Sequence, residues 1–132
     1  MFETQTEVKL HHTDAAGILF FANHFRIAHT VYEDFMKSIG CGLDYIIRAS
    51  DYLILIAHAE ADYERGLCLG EKLTISLKAE IGKTSFILSY LFKDGNGNVA
   101  ARLRTVHVSV NKKNGEKIPL PENLRHGLLS IT

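Results

Sequence analysis

One long stretch of this chain has strong helical periodicity, and most of the sequence after it alternates. Over residues 23–39, Phe25, Ala28, Tyr32, Phe35, Met36 and Ile39 recur at helical spacings and line one face. Ile27 and Val31 carry the apolar surface beyond that face, so this helix is expected to be covered on more than one side. Asn23 is a candidate cap for its start, and Gly40 fits just past its end. Strand patterns occupy residues 53–63, 73–81, 86–92 and 99–111, with turn signals at Gly82-Lys83 and Asp94-Gly95-Asn96-Gly97. A strand over residues 4–11, with Thr6, Val8 and Leu10 on one face, precedes the helix. A short helix over 43–48 comes after it. Asn114-Gly115 marks a last turn, and Pro119 and Pro121 are expected to close the ordered region. The order is α+β rather than alternating βαβ. Such a chain buries its helix by curling an antiparallel sheet of about five strands around it. The edges of that sheet and its outer face predict a homo-oligomer.

At 132 residues the chain suits one domain spanning 1–132. Fifteen Lys and Arg balance fifteen Asp and Glu, which removes the basic footprint of a nucleic-acid binder. No apolar run approaches the roughly 20 residues that span a bilayer. The start, Met1-Phe2-Glu3-Thr4-Gln5, has neither a basic nor an apolar leader region, so a cytoplasmic location is expected. Cys41 and Cys68 are the only cysteines and read as reduced thiols.

The segment His11-His12-Thr13-Asp14-Ala15-Ala16-Gly17-Ile18-Leu19-Phe20-Phe21 holds the first chemical candidate. It places a carboxylate among small residues between a strand and the long helix. Asp and Gly are ordinary turn residues, so a carboxylate that only satisfies local backbone is one reading. The other is a reactive carboxylate beside the unpaired N–H groups and positive dipole end of the helix start. The seven histidines lack metal-ligand spacing, and no metal site is expected; His24 and His29, five apart, do not share a helix face. His58, inside an apolar strand, reads first as a core residue. No nucleophile elbow is present. Lys83, Arg102, Arg104, Lys112, Lys113 and Lys117 read as solvated faces, or as point charges for an anionic tail.

Residues 13–21, with an aromatic-rich helix carrying Tyr32-Glu33 after them, resemble the 4-hydroxybenzoyl-CoA thioesterase branch of the hotdog superfamily. That family's pattern is Asp-x-Asp-x-x-Gly-(Val/Ile)-x-(aromatic), then a long central helix. Residues 56–63, residues 101–108 and Pro119-Leu120-Pro121 look especially like 1,4-dihydroxy-2-naphthoyl-CoA thioesterases. The chain departs from the pattern at His12, where the family has an earlier acid, and at Arg65-Gly66, where it has Pro-Ala.

The resemblance implies a hotdog fold and hydrolysis of an aromatic or medium-size acyl-CoA. It places the catalytic carboxylate on Asp14, the turn glycine on Gly17, and the oxyanion donors on the backbone near Phe20 and Phe21. Phe20, Phe21, Phe25 and His58 would line the acyl slot, although core packing explains the phenylalanines equally well. Lys83, Arg102 and Arg104 are candidates for the anionic tail of coenzyme A, which enters as part of the substrate, with no separate cofactor. Dimers or tetramers with sites at subunit interfaces are implied. The rival readings are a dehydratase for acyl-carrier-protein substrates, using His29 and Glu33, and a non-catalytic acyl-CoA binder.

Overall fold

The computed structural model describes residues 1–132. In chain order the elements are β1 (Phe2–Glu7), a 3-10 turn (Leu10–His12), α1 (Asn23–Ser38), α2 (Leu43–Ala49), β2 (Tyr52–Tyr63), β3 (Lys72–Ile81), β4 (Ser85–Lys93), β5 (Val99–Asn111) and α3 (Glu122–Leu129). The strands form one sheet in the order β1-β3-β4-β5-β2, antiparallel throughout. This is the α+β arrangement expected from the pattern, with α1 against the inner face of the sheet.

Period-two alternation makes that inner face. Leu73, Ile75 and Leu77 of β3, Phe86, Leu88, Tyr90 and Phe92 of β4, and Leu103, Thr105 and His107 of β5 are buried. Against them α1 sets Ile27, Ala28, Val31, Tyr32, Phe35 and Met36, all buried. Ring pairs fix the fit: Phe2 meets Phe35 at 5.5 Å, Tyr32 meets His107 at 4.5 Å and His24 meets Phe92 at 5.7 Å. Each large apolar side chain buried here contributes about 1.5–3 kcal/mol before the entropy of ordering is set against it.

The β2–β5 register shifts once. Ile56 pairs with His107, but the next pair is His58 with Val106, so Ala57 is an extra residue. A bulge of this kind reverses which side chains face inward. Ile56 and Ala59 thus share the inner face with His107 and Thr105, while His58 turns outward with Val106.

Two expectations need correction. The first strand stops at Glu7 rather than reaching His11. Its partner β3 begins at Lys72, opposite Glu7; Val8 still exchanges backbone bonds with Glu71 and Gly70, but no such pairing continues over residues 9–11. Leu10–His12 close a local turn instead, with the Thr13 N–H and hydroxyl both donating to the Leu10 carbonyl. The chain also does not lose order at Pro121, because Pro121 stands at the start of α3. Proline fits a helix start, where an N–H has no helical acceptor. Leu124 and Leu128 of α3 and Ile131 beyond it are buried, and the Ala79 N–H donates to the Ile131 carbonyl (3.0 Å). No helix is long and apolar enough to cross a membrane.

Candidate active site

Asp14 opens a four-residue turn. Its carbonyl accepts from the Gly17 N–H (3.1 Å), and its own N–H donates to the Ile18 carbonyl (2.8 Å). Its Oδ1 accepts from the N–H groups of Ala16 (2.8 Å) and Ile18 (3.2 Å). Gly17 has φ +74°, a conformation that a Cβ would strain. Contacts distant in sequence fix the turn in place. The Leu19 N–H donates to the Leu67 carbonyl (2.7 Å), and the Leu69 N–H to that of Gly17 (2.8 Å). The carboxylate is exposed, and its Oδ2 has no hydrogen bond or ion pair within the chain.

The start of α1 lies a few residues further on and is uncapped. Ala22 occupies the cap position with no side chain to accept a bond. Asn23 does not cap the helix: its Nδ2 donates to the His12 carbonyl (2.7 Å), tying the helix start to the chain before Asp14. The Phe20 N–H donates to the same carbonyl (3.0 Å), so Phe20 is not a free oxyanion donor. The Phe20 carbonyl accepts from the Asn23 N–H (2.8 Å). The Phe21 carbonyl accepts from the Tyr63 hydroxyl (2.8 Å) and from His24 Nδ1 (3.1 Å). The N–H groups of Phe21 and Ala22 have no acceptor within the chain. They lie at the positive end of the α1 dipole, which favours negative charge.

His24 is buried, and desolvation lowers its pKa despite the opposing pull of the Phe21 and Phe20 carbonyls. The neutral ring therefore carries its proton on Nδ1 when it donates to Phe21. Burial also raises the Tyr63 pKa, which keeps that hydroxyl a donor.

One helical turn beyond Phe21, a cleft of about 630 Å3 opens between α1 and β2. Phe25, His29, Ile56 and Ala59 are on its walls, with Tyr90, Thr105 and His107 behind them. These three form a buried polar chain: the Thr105 hydroxyl donates to Tyr90 Oη (3.3 Å) and lies 2.7 Å from His107 Nε2. Burial, aided by His29, lowers the His107 pKa to about 4, and burial pushes Tyr90 up to about 12. His107 Nδ1 and Ser109 Oγ are buried without a partner.

Asp14, Gly17 and the Phe21 backbone therefore share one looped segment, closed by the Thr13–Leu19 bridge and by the bonds of Phe20 and Asn23 to the His12 carbonyl, with Phe25 one turn further on. The structure separates the other candidates. His58 is exposed on the outer face, 3.7 Å from Glu60, and neither joins Phe25 nor enters the core. Arg104 pairs with Glu60 (3.1 Å) and Arg102 with Glu64 (2.9 Å) on that same outer face. Lys83 lies in the β3–β4 turn, at the sheet end where Ser85 pairs with Val108, away from Arg102 opposite Leu91. His29 and Glu33 both border the cleft, with no hydrogen bond between them. No three His, Cys, Asp or Glu side chains group as metal ligands. Cys41 is buried and Cys68 exposed, neither in a disulfide. Tyr63 and the Asn23 side chain are not legible as site residues in the sequence, because their partners come from elsewhere in the chain.

A model of the thioesterase-like superfamily matches residues 8–128. The chain is 32% identical over 126 residues to the 1,4-dihydroxy-2-naphthoyl-CoA hydrolase of Rippkaea orientalis, covering 93% of this chain and 91% of that protein. It is 36% identical over 127 residues to the protein of the same name from Gloeothece citriformis, covering 94% and 89%. A crystal structure of a 1,4-dihydroxy-2-naphthoyl-CoA thioesterase from Synechocystis superposes with a TM-score of 0.93 at 25% identity, over 98% of this chain and 96% of that one.

Proposed function

The chain belongs to the thioesterase-like superfamily, and from that premise we propose that it hydrolyses an aromatic acyl-CoA, with 1,4-dihydroxy-2-naphthoyl-CoA as the first substrate to test. The observation that carries the site assignment is that one short segment, residues 14–22, holds both a carboxylate with a free oxygen, Asp14 Oδ2, and two N–H groups without acceptors at an uncapped helix start. The thioester oxygen accepts from the Phe21 and Ala22 N–H groups, which stabilise the negative charge as it develops. Asp14 either adds to the thioester carbon, forming a mixed anhydride that water then opens, or takes a proton from the attacking water. In both routes the carbon–sulfur bond breaks and coenzyme A leaves as its thiolate. A thiol pKa near 8.5 makes protonation of that leaving group dispensable. Solvent oxygen-18 appearing in the Asp14 carboxylate after one turnover marks the anhydride route.

The cleft beginning at Phe25 is the assigned acyl slot. The substrate supplies coenzyme A, and no further cofactor enters the reaction. The chain is assigned to the cytoplasm on its two unpaired thiols. A second copy is assigned to the outer edge of β2. That edge is long, free of proline and apolar, with Leu55 50% and Ile56 47% exposed. Light scattering is expected to give a dimer or a multiple of it.

The test is thiol release from a panel of naphthoyl, benzoyl and aliphatic CoA esters. Hydrolysis fastest with aromatic esters is expected. Binding without thiol release would replace the reading with a carrier role, and loss of enoyl absorbance without thiol release would replace it with a dehydratase.

A further inference from the structure

The two N–H groups assigned to the thioester oxygen belong to peptide units whose carbonyls are both held. In a planar trans peptide the carbonyl and the following N–H point in opposite directions, so fixing one aims the other. The Phe20 carbonyl is held by the Asn23 backbone. The Phe21 carbonyl would ordinarily accept from the next helical turn, yet no backbone N–H within the chain reaches it. It is held instead by two side-chain donors, Tyr63 Oη at 2.8 Å and His24 Nδ1 at 3.1 Å. Tyr63 comes from the end of β2, on the far side of the cleft from α1. The rings of His24 and Tyr63 pack edge to face at 4.7 Å, and Phe21 packs against Tyr63 at 6.4 Å. The pair is thus fixed in place by its own packing.

We propose that Tyr63 and His24 are positioning residues that aim the Ala22 N–H, and steady the neighbouring Phe21 N–H, toward the thioester oxygen. This rests on the thioesterase reading above. Neither side chain touches the substrate in this role; both act through the Phe21–Ala22 peptide. Two donors on its carbonyl also polarise that peptide, which makes its N–H a stronger donor. The arrangement replaces a helix cap. In a capping box, an acid or amide at the Phe25 position would consume the Ala22 N–H, whereas a clamp on the Phe21 carbonyl orders the same backbone and leaves that N–H free.

Tyr63→Phe removes the hydroxyl and keeps the ring. With 1,4-dihydroxy-2-naphthoyl-CoA, kcat is expected to fall about tenfold, the loss of one hydrogen bond's worth of transition-state orientation. KM is expected to stay within about twofold, because the clamp acts on charge that develops after binding. His24→Leu should give a comparable loss, and His24→Asn, whose amide nitrogen stands near the position of Nδ1, should recover most of it. A purely structural role would move the melting temperature without this split between kcat and KM. A second readout needs no turnover. The thioester is bound to Asp14→Asn protein, and its carbonyl stretch is read by Raman difference spectroscopy. Adding Tyr63→Phe should shift that band upward, toward its value in free solution. An unchanged kcat in Tyr63→Phe together with an unmoved band overturns the proposal. Absence of thiol release by the wild type across the whole ester panel overturns the thioesterase reading, and this proposal with it.

Discussion

The turn at Asp14 and the turn at Asp94 have the same internal hydrogen bonds. In each, the Asp carbonyl accepts from a glycine three residues on, at 3.1 Å from Gly17 and 3.0 Å from Gly97. In each, Oδ1 accepts from the N–H groups two and four residues on. The glycines share a left-handed conformation, with φ +74° and +82°. The difference is in the second oxygen. Asp94 is 5% exposed, and its Oδ2 pairs with Arg65 (3.3 Å), which also holds Glu71 (3.1 Å). Asp14 is exposed, and its Oδ2 pairs with nothing in the chain. An Asp-x-x-Gly sequence therefore encodes a turn, and what surrounds the turn decides whether the carboxylate is available for chemistry.

The largest effect should come from removing the free oxygen. Asp14→Asn keeps an acceptor for the Ala16 and Ile18 N–H groups but loses the charge, and kcat should fall by about 10²–10⁴-fold, with the urea midpoint nearly unchanged. Near-wild-type turnover would break the comparison, since Asp14 would then be only a turn residue like Asp94. Asp94→Ala should do the reverse. It strips two N–H groups of their acceptor and Arg65 of its buried partner, costing about 2–3 kcal/mol in urea unfolding while sparing kcat per folded molecule.

Gly17→Ala and Gly97→Ala should cost similar amounts, about 1–2 kcal/mol each, because open space surrounds both and only the backbone conformation resists a Cβ. Clearly unequal costs would show that the two turns differ locally as well. Only Gly17→Ala should also lower kcat. Arg65→Met should cost about 1–2 kcal/mol, since it leaves the buried Asp94 Oδ2 without a partner, while solvent screens the more exposed pair with Glu71.

The smallest effect is a pH dependence confined to the Asp94 side. The Cys68 N–H, and after it Arg65, hold the Glu71 carboxyl below its ordinary pKa of 4.5, against a partial opposing effect of burial. A carboxyl lowered in the folded state stabilises the fold above its unfolded pKa and loses that contribution as pH falls through the folded value. Wild type should thus lose stability below pH 4.5 more steeply than Glu71→Gln, as followed by thermal melts across that range.

Much of the fold is legible in the residues alone. The long helical period over 23–39 corresponds to Asn23–Ser38, and the last strand has the bounds its pattern gives, Val99–Asn111. Periodicity reports burial of one face, and that signal is strong in long elements. It fails where it is short or interrupted. α3 has only Leu124 and Leu128 as buried apolar repeats, after a proline that reads as a stop. His58 reads as a core residue only while alternation is carried through Ala57, where one bulged residue reverses the facing of everything after it. In the site, Asp14 and Gly17 are legible as a turn, and the Phe21 backbone as part of the helix start. Phe20 as a donor is not distinguishable from Phe21, since only the bond to the His12 carbonyl separates them.

Both Asp-x-x-Gly turns are written into the chain locally, down to their hydrogen bonds, because four or five consecutive residues contain every group those bonds need. So is the packing of one helix against an alternating sheet. Which turn keeps a reactive oxygen is a tertiary matter. Arg65 reaches Asp94 because β2 and β5 pair up to the end of β2, where the Glu64 and Arg65 N–H groups both donate to the Ala100 carbonyl. The Asp14 turn is held by residues 67–69 through backbone bonds alone, and none of these brings a cation to its carboxylate. Tyr63 arrives at Phe21 by the same long-range route. Near neighbours in sequence fix a conformation, but the solvation and charge of a carboxylate depend on whatever the folded chain brings beside it.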